Sequence, residues 1–174
     1  MCQRKMANLF IRLFHGYYIK MSKQLLIIAH TPSDNTARLA RAAFNAANDY
    51  ASDDLMVRLL SPFDVQTEDV VKADGVIIGT TENIGYMAGA TKDMFDRCYN
   101  DWIDLCAGKP VGLYIRAGLD GTATTHAVNS IFTGLRWRII APPLVLHGNW
   151  DSKFITDVAD LSLAMAAGLD AGIF

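Results

Sequence analysis

The chain has 174 residues, 51% hydrophobic and 20% charged, a balance that suits one packed domain and excludes a disordered segment. A formal net charge of −2 leaves no basic excess for a nucleic-acid backbone, and no apolar run approaches the ~18 residues that a membrane-spanning helix needs. Cys2, Cys98 and Cys106 form neither a CxxC pair nor a metal-ligand cluster, which suits a reducing, cytoplasmic compartment; Cys98 and Cys106 are expected as core fillers on one helix.

The amino-terminal residues stand apart. Arg4, Lys5, Arg12 and Lys20 occur there without an acid, among Leu9, Phe10, Ile11, Leu13, Phe14, Tyr17 and Tyr18. There is no uninterrupted apolar core or small-residue cleavage site of the secretory kind. Met21-Ser22-Lys23 directly precedes the first strand, as a native start would. Residues 1–22 are therefore read as a lead, basic and amphipathic or arising from a mis-assigned start, and 23–174 as one domain.

Leu25 to Ala29 is a continuous apolar run, the mark of a strand buried on both faces. A polar loop from His30 to Asn35 leads into a helix whose inner face carries Thr36, Leu39, Ala40, Ala43, Phe44 and Ala47. Leu55 to Leu60 reads as the second strand, 61–72 as a connection with a short helical stretch, and Gly75 to Thr80 as the third strand. After a polar loop over 81–89 comes a long helix with Met87, Ala90, Met94, Phe95, Cys98, Trp102 and Leu105 along its inner side. Lys92–Asp96 and Asp93–Arg97 are spaced for ion pairs outside. Gly108-Lys109-Pro110 ends it. Val111 to Ile115 is the fourth strand, 122–135 a helix with Val128, Ile131 and Leu135 inward, Leu144 to Leu146 the fifth strand and 152–168 the last helix. Five alternations of strand and helix predict an α/β, doubly wound, five-stranded parallel sheet of order 2-1-3-4-5.

In such sheets ligands bind beyond the carboxyl ends of the strands at the switch point, here between strands 1 and 3. Three loops meet there. The first, 30–36, joins a strand to a helix amino terminus and carries Thr31, Ser33, Asn35 and Thr36, suited to a phosphate or, equally, to an ordinary capped strand-to-helix turn. It has no lysine, and the chain has neither GxxxxGK[ST] nor GxGxxG, which disfavours a nucleotide-hydrolysing loop and a dinucleotide fold. The second contains Thr81, Glu82, Asn83, Ile84, Gly85, Tyr86 and Met87. Glycines, amides and an aromatic in that order suit the polar edge and face of a flat ring. The third contains Arg116, Ala117, Gly118 and Gly121, whose glycines permit close backbone approach. His126 lies past it, inside a helix, and reads as an ordinary surface or core residue.

The second loop resembles the flavin loop of the flavodoxin-like NAD(P)H-dependent FMN reductases and quinone reductases, roughly T-P-x-x-x-G-x-M-x-G-x-x-K-x-F-x-D. Thr80, Gly85, Met87, Gly89, Lys92, Phe95 and Asp96 carry the match, with Phe95 shifted by a residue; Thr81 stands in place of the usual proline and Ile84 where an aromatic is frequent. The resemblance covers about residues 24–168. It implies a flavodoxin-like domain holding FMN at the fifteen loop residues named above. NAD(P)H would be the electron donor and a quinone, flavin or similar small molecule the acceptor, in a cytoplasmic oxidoreductase, with homo-oligomers common. Arg116, at a strand end, reads either as a partner for the negative charge of the reduced cofactor or a nicotinamide phosphate, or as a solvated arginine. No side chain is expected as a catalytic nucleophile or base, because the cofactor supplies the chemistry.

Three other readings compete. A one-electron carrier of the flavodoxin type would be more strongly acidic than this chain. A phosphoacceptor receiver domain needs acids at the ends of strands 1 and 3, where this chain has Ala29-His30-Thr31 and Gly79-Thr80-Thr81. A flavodoxin-like binding module without turnover would take up no FMN.

Overall fold

The computed structural model describes residues 22–51 and 54–174. The amino-terminal lead, with Cys2, lies outside the described residues apart from Ser22.

Strand β1 (Lys23–Ala29) is followed by helix α1 (Asp34–Tyr50), β2 (Leu55–Leu60), the short α2 (Thr67–Lys72) and β3 (Gly75–Asn83). Then come β4 (Tyr86–Met87), α3 (Gly89–Leu105), β5 (Pro110–Ala117), α4 (Thr122–Gly134), β6 (Arg138–Ile139), β7 (Leu144–His147) and α5 (Lys153–Asp170). β1 lies between β2 and β3 in parallel register, Ile27 opposite Leu59 on one side and Ile77 on the other. Alternate residues of the β1 run face opposite cores. Leu25, Ile27 and Ala29 meet α1 and α5, while Leu26 and Ile28 belong to the core under α3 and α4. Burial on both faces is why the run shows no polar alternation.

Two expectations are corrected. The sheet has seven strands, not five, in the order β2-β1-β3-β5-β6, with β4 pairing β3 and β7 pairing β5. The outer edge is broken in two. Arg138–Ile139 pair with Pro110–Val111, and Leu144–His147 with Tyr114–Ala117, so residues 140–143 bulge opposite 112–113. Pro142 and Pro143 explain the break, since neither has an N–H to donate to the ladder. Second, part of the expected loop over 81–89 is paired. β3 continues to Asn83 and turns back through Ile84 and Gly85, with Glu82 opposite Met87 and Asn83 opposite Tyr86. Both turn residues have positive φ, 54° and 70°, which gives the tight hairpin that matches strand twist.

The helix faces hold with one exception, Leu105, 63% exposed at the end of α3; in α4 Ile131 packs half-buried against the core, and Phe132 beside it is fully buried. Both ion pairs expected on α3 form, Arg97 with Asp93 at 2.8 Å and Lys92 with Asp96 at 2.5 Å. Arg97 does more than pair. It also donates to the carbonyls of Val65 and Pro62, tying α3 to the loop before α2. Cys98 and Cys106 are buried free thiols, and burial pushes both up from the ordinary thiol value.

Candidate functional site

The three loops meet at the carboxyl edge because β1, β3 and β5 are adjacent and parallel. The His30 N–H donates to Gly79 O at 2.9 Å, joining the first loop to β3. Burial holds the His30 imidazole below its ordinary value, which favours the neutral ring.

At the first loop Ser33 caps α1. Its hydroxyl accepts the Thr36 N–H at 3.3 Å, and Thr36 Oγ1 accepts the Ser33 N–H at 3.0 Å. The Thr36 hydroxyl donates in turn to Ser33 O at 2.8 Å. This reciprocal box shapes the loop and buries Thr36. Thr31, Ser33 and Asn35 are exposed. Ala37 N–H bonds to Ser33 O, so the Asp34 and Asn35 amides remain at the positive end of the helix. Asp34 adds a negative charge there. Arg38, one turn on, adds a positive one and sits 4.9 Å from the Trp150 ring centroid.

The second loop is part wall, part rim. Thr81 is buried and donates to Asn83 Oδ1 at 2.9 Å. Thr80 bonds Thr91 at 2.9 Å and accepts the Ala88 N–H, fixing the start of α3. Met87 is 2% exposed and belongs to the core beneath the loop. Ile84 and Tyr86 are exposed at the rim, with Asn83 beside them. α3 has no side-chain cap at Ala88, so its first-turn amides have no capping side chain.

In the third loop Ala117 is buried in the core and Gly121 starts α4 with φ 75°. Arg116 is committed to structure. It donates to Ala117 O and Leu146 O at 2.8 Å and to Gly148 O at 2.6 Å, and lies 5.4 Å from the Phe154 ring centroid. Asp120 accepts the Thr122 N–H at 2.9 Å, which holds its carboxyl below the usual range. Glu82 and Leu119 join the second and third loops, with Glu82 Oε2 accepting the Leu119 N–H at 2.6 Å. His126 is exposed on α4. It lines a cleft of about 390 Å³ with Asp120, Thr122, Thr125, Asn129 and Val145. Thr125 Oγ1 and Asn129 Oδ1 in that cleft are buried and unpartnered.

The glycines test whether a flat ring fits. A Cβ built on Gly85 or Gly89 meets nothing within 4 Å, and on Gly118 it meets only Glu82 O, at 3.8 Å. These backbones border open space, as close approach of a ring requires. Among the described residues no group of three or more His, Cys, Asp and Glu is placed to hold a metal ion. No helix among them is long and apolar enough to cross a membrane.

This architecture is shared with solved structures. A flavodoxin from the domain Archaea superposes with a TM-score of 0.70 at 15% identity, over 84% of this chain and 99% of that one. The chain has the flavodoxin-like fold. Two-electron reduced Megasphaera elsdenii flavodoxin matches with a TM-score of 0.65 at 15% identity, over 80% and 98%. Rubredoxin oxygen:oxidoreductase from Desulfovibrio gigas matches with a TM-score of 0.72 at 15% identity, over 88% of this chain but 38% of that larger one. No protein-family profile and no curated protein matches the sequence.

Sequence reasoning missed Arg38 and the working partners of Arg116. Arg38 follows Asp34 at i,i+4, a detectable spacing. Its stacking on Trp150, 112 positions away in sequence, depends on how α1 and the loop after β7 pack.

Proposed function

We propose that residues 23–174 form an FMN-binding oxidoreductase domain that passes electrons from NAD(P)H to a quinone, a flavin or a similar small acceptor. The observation that carries the reading is the convergence of three loops at the switch point. The Asp34 and Asn35 amides stand beside the Ser33 cap at the start of α1, α3 starts without a side-chain cap, and three glycine backbones border open space. Thr31, Ser33 and Asn35, with the Asp34 and Asn35 amides, would hold the phosphate. Asn83, Ile84, Gly85, Tyr86 and the 118–121 backbone would hold the ring. Thr36, Thr81, Met87, Ala117 and Arg116 shape the loops from below. FMN when bound supplies the capacity to accept a hydride and release electrons singly or in pairs.

The open cleft beside Asp120, lined by Thr122, His126 and Asn129, offers a second small molecule a place next to the third loop, which supports turnover over simple electron carriage. The flavodoxin-type carrier is the second reading, favoured by the likeness to flavodoxins.

An absorbance spectrum of the protein reconstituted with FMN, taken before and after anaerobic addition of NADPH or NADH, tests this. Stoichiometric uptake with bleaching of the band near ~450 nm is expected. Uptake without bleaching by either nucleotide, but with bleaching by dithionite, would leave the carrier. No uptake would overturn the FMN reading and leave a binding module.

A further inference from the structure

β3 and β5 run side by side in register up to Thr81 and Arg116, and there the ladder ends. Beyond it β3 enters the hairpin at 82–87 and β5 the 118–121 loop, with a Cβ at Gly118 reaching to 3.8 Å from Glu82 O. Among the described residues one hydrogen bond joins these two segments: the Leu119 N–H donates to Glu82 Oε2 at 2.6 Å. Little else anchors the tip of the third loop. The Leu119 side chain is 63% exposed, Gly118 has none, and the Asp120 carboxylate is occupied by the Thr122 N–H.

Glu82 is a costly residue for that place. It is 8% exposed, yet no Lys or Arg among the described residues pairs with it. Burial of an acid without a cation is unfavourable unless hydrogen bonds compensate. A carboxylate accepting a backbone N–H makes a short, charge-assisted bond, stronger than a neutral one. A neutral side chain would fill the same wall at less desolvation cost, so the acid at this position calls for a role that needs its strong acceptor or its charge.

We propose that Glu82 is a positioning residue: its carboxylate latches the 118–121 loop across the end of the β3–β5 ladder and sets the width of the opening that receives the ring. This rests on the FMN reading. The same charge, paired with no cation, would oppose the negative charge that reduction adds to a ring held between these loops, so Glu82 would also lower the midpoint potential of the bound cofactor. The two effects separate by substitution. Glu82→Gln keeps an acceptor for the Leu119 N–H and removes the charge, whereas Glu82→Ala removes both.

Three measurements decide it: amide hydrogen exchange over 117–121 in the apoprotein, FMN dissociation by fluorescence titration, and the midpoint potential by dye equilibration. For Glu82→Ala, exchange at Leu119 is expected to rise, and FMN affinity to fall, each about tenfold, the order lost with a hydrogen bond to a charged group. Glu82→Gln is expected to hold both within about threefold of wild type, as a retained neutral bond would, and to raise the midpoint potential. Unchanged exchange in Glu82→Ala would overturn the latch. An unchanged potential in Glu82→Gln would overturn the electrostatic role. If Glu82→Ala does not fold, Glu82→Gln decides alone, and loss of loop protection in it overturns acceptor-based latching. No FMN uptake by the wild-type protein would overturn the cofactor reading and the potential effect, while exchange in the apoprotein still decides the latch.

Discussion

Ile84 sits at the tip of the hairpin with φ 54° and stands 105% exposed. A β-branched side chain disfavours that conformation, because its Cβ substituents crowd the backbone. The residue also buries nothing within the described chain to offset the strain. Asn suits the first central position of this turn type and tolerates positive φ. Ile84→Asn is expected to stabilise the apoprotein by about 1 kcal/mol, read as a higher urea midpoint with an unchanged slope. A lower midpoint would show that Ile84 packs in a way this structure lacks. Tolerated strain at the rim of a candidate site is consistent with a contact made only when a ligand is present. Arg116 gives the opposite lesson. Its position at a strand end suits ligand binding, but three carbonyls and the Phe154 ring hold its guanidinium in the fold.

At the scale of elements, β3 and β5 are the pair that positions the second and third loops of the candidate site. Their packing has a tight point at Gly79, opposite Tyr114 in the register. A Cβ at residue 79 would lie 2.1 Å from Tyr114 Cζ and 2.2 Å from its hydroxyl oxygen. Tyr114 is 3% exposed, and burial pushes its phenol well above the ordinary value, so the ring has no easy exit. Gly79→Ala should therefore cost about 1–3 kcal/mol through overpacking. Denaturant unfolding checks this, and Gly79→Ala combined with Tyr114→Leu should lose less stability than the two single changes added together. An additive pair would mean that the ring does not cause the conflict. The same pairing shows what local pattern conceals. Gly75 to Thr80 is a visible apolar run, whereas the continuation through Thr81, Glu82 and Asn83 is polar. It becomes strand because Arg116 pairs with Thr81, and Met87 and Tyr86 fold back on Glu82 and Asn83. β6 was equally illegible, since Arg138 and Ile139 are exposed and make only a short edge pairing.

At the scale of the molecule, two cores flank the sheet. The one beneath α3 and α4 is organised by aromatics: Trp102 lies 5.6 Å from Trp137 and 6.2 Å from Phe95, and Phe132 lies 5.6 Å from Trp137, between ring centroids. Trp102 is fully buried, and its Nε1 donates to Thr67 O at 3.2 Å, so it also anchors α2. Trp102→Ala should cost about 3–5 kcal/mol, a large share of the total stability of a domain, whereas the exposed Phe63→Ala should stay within about 0.5 kcal/mol. Equal unfolding midpoints for the two variants would refute this picture of the core.

The sequence by itself determined the alternation of strands and helices, the faces that α1 and α3 bury, and the three loops at the carboxyl edge. These follow from local periodicity, from helix starts and from the rule that parallel strands place their carboxyl ends together. Only the tertiary structure decided how those loops are joined and which of their side chains are free. Glu82 reaches Leu119, 37 positions on, and Arg116 reaches Leu146, 30 positions on, because β3, β5 and β7 lie side by side. A side chain's role at such an edge depends on which carbonyls and amides the neighbouring strands bring within hydrogen-bonding distance. That proximity arises from long-range packing and has no counterpart in local spacing.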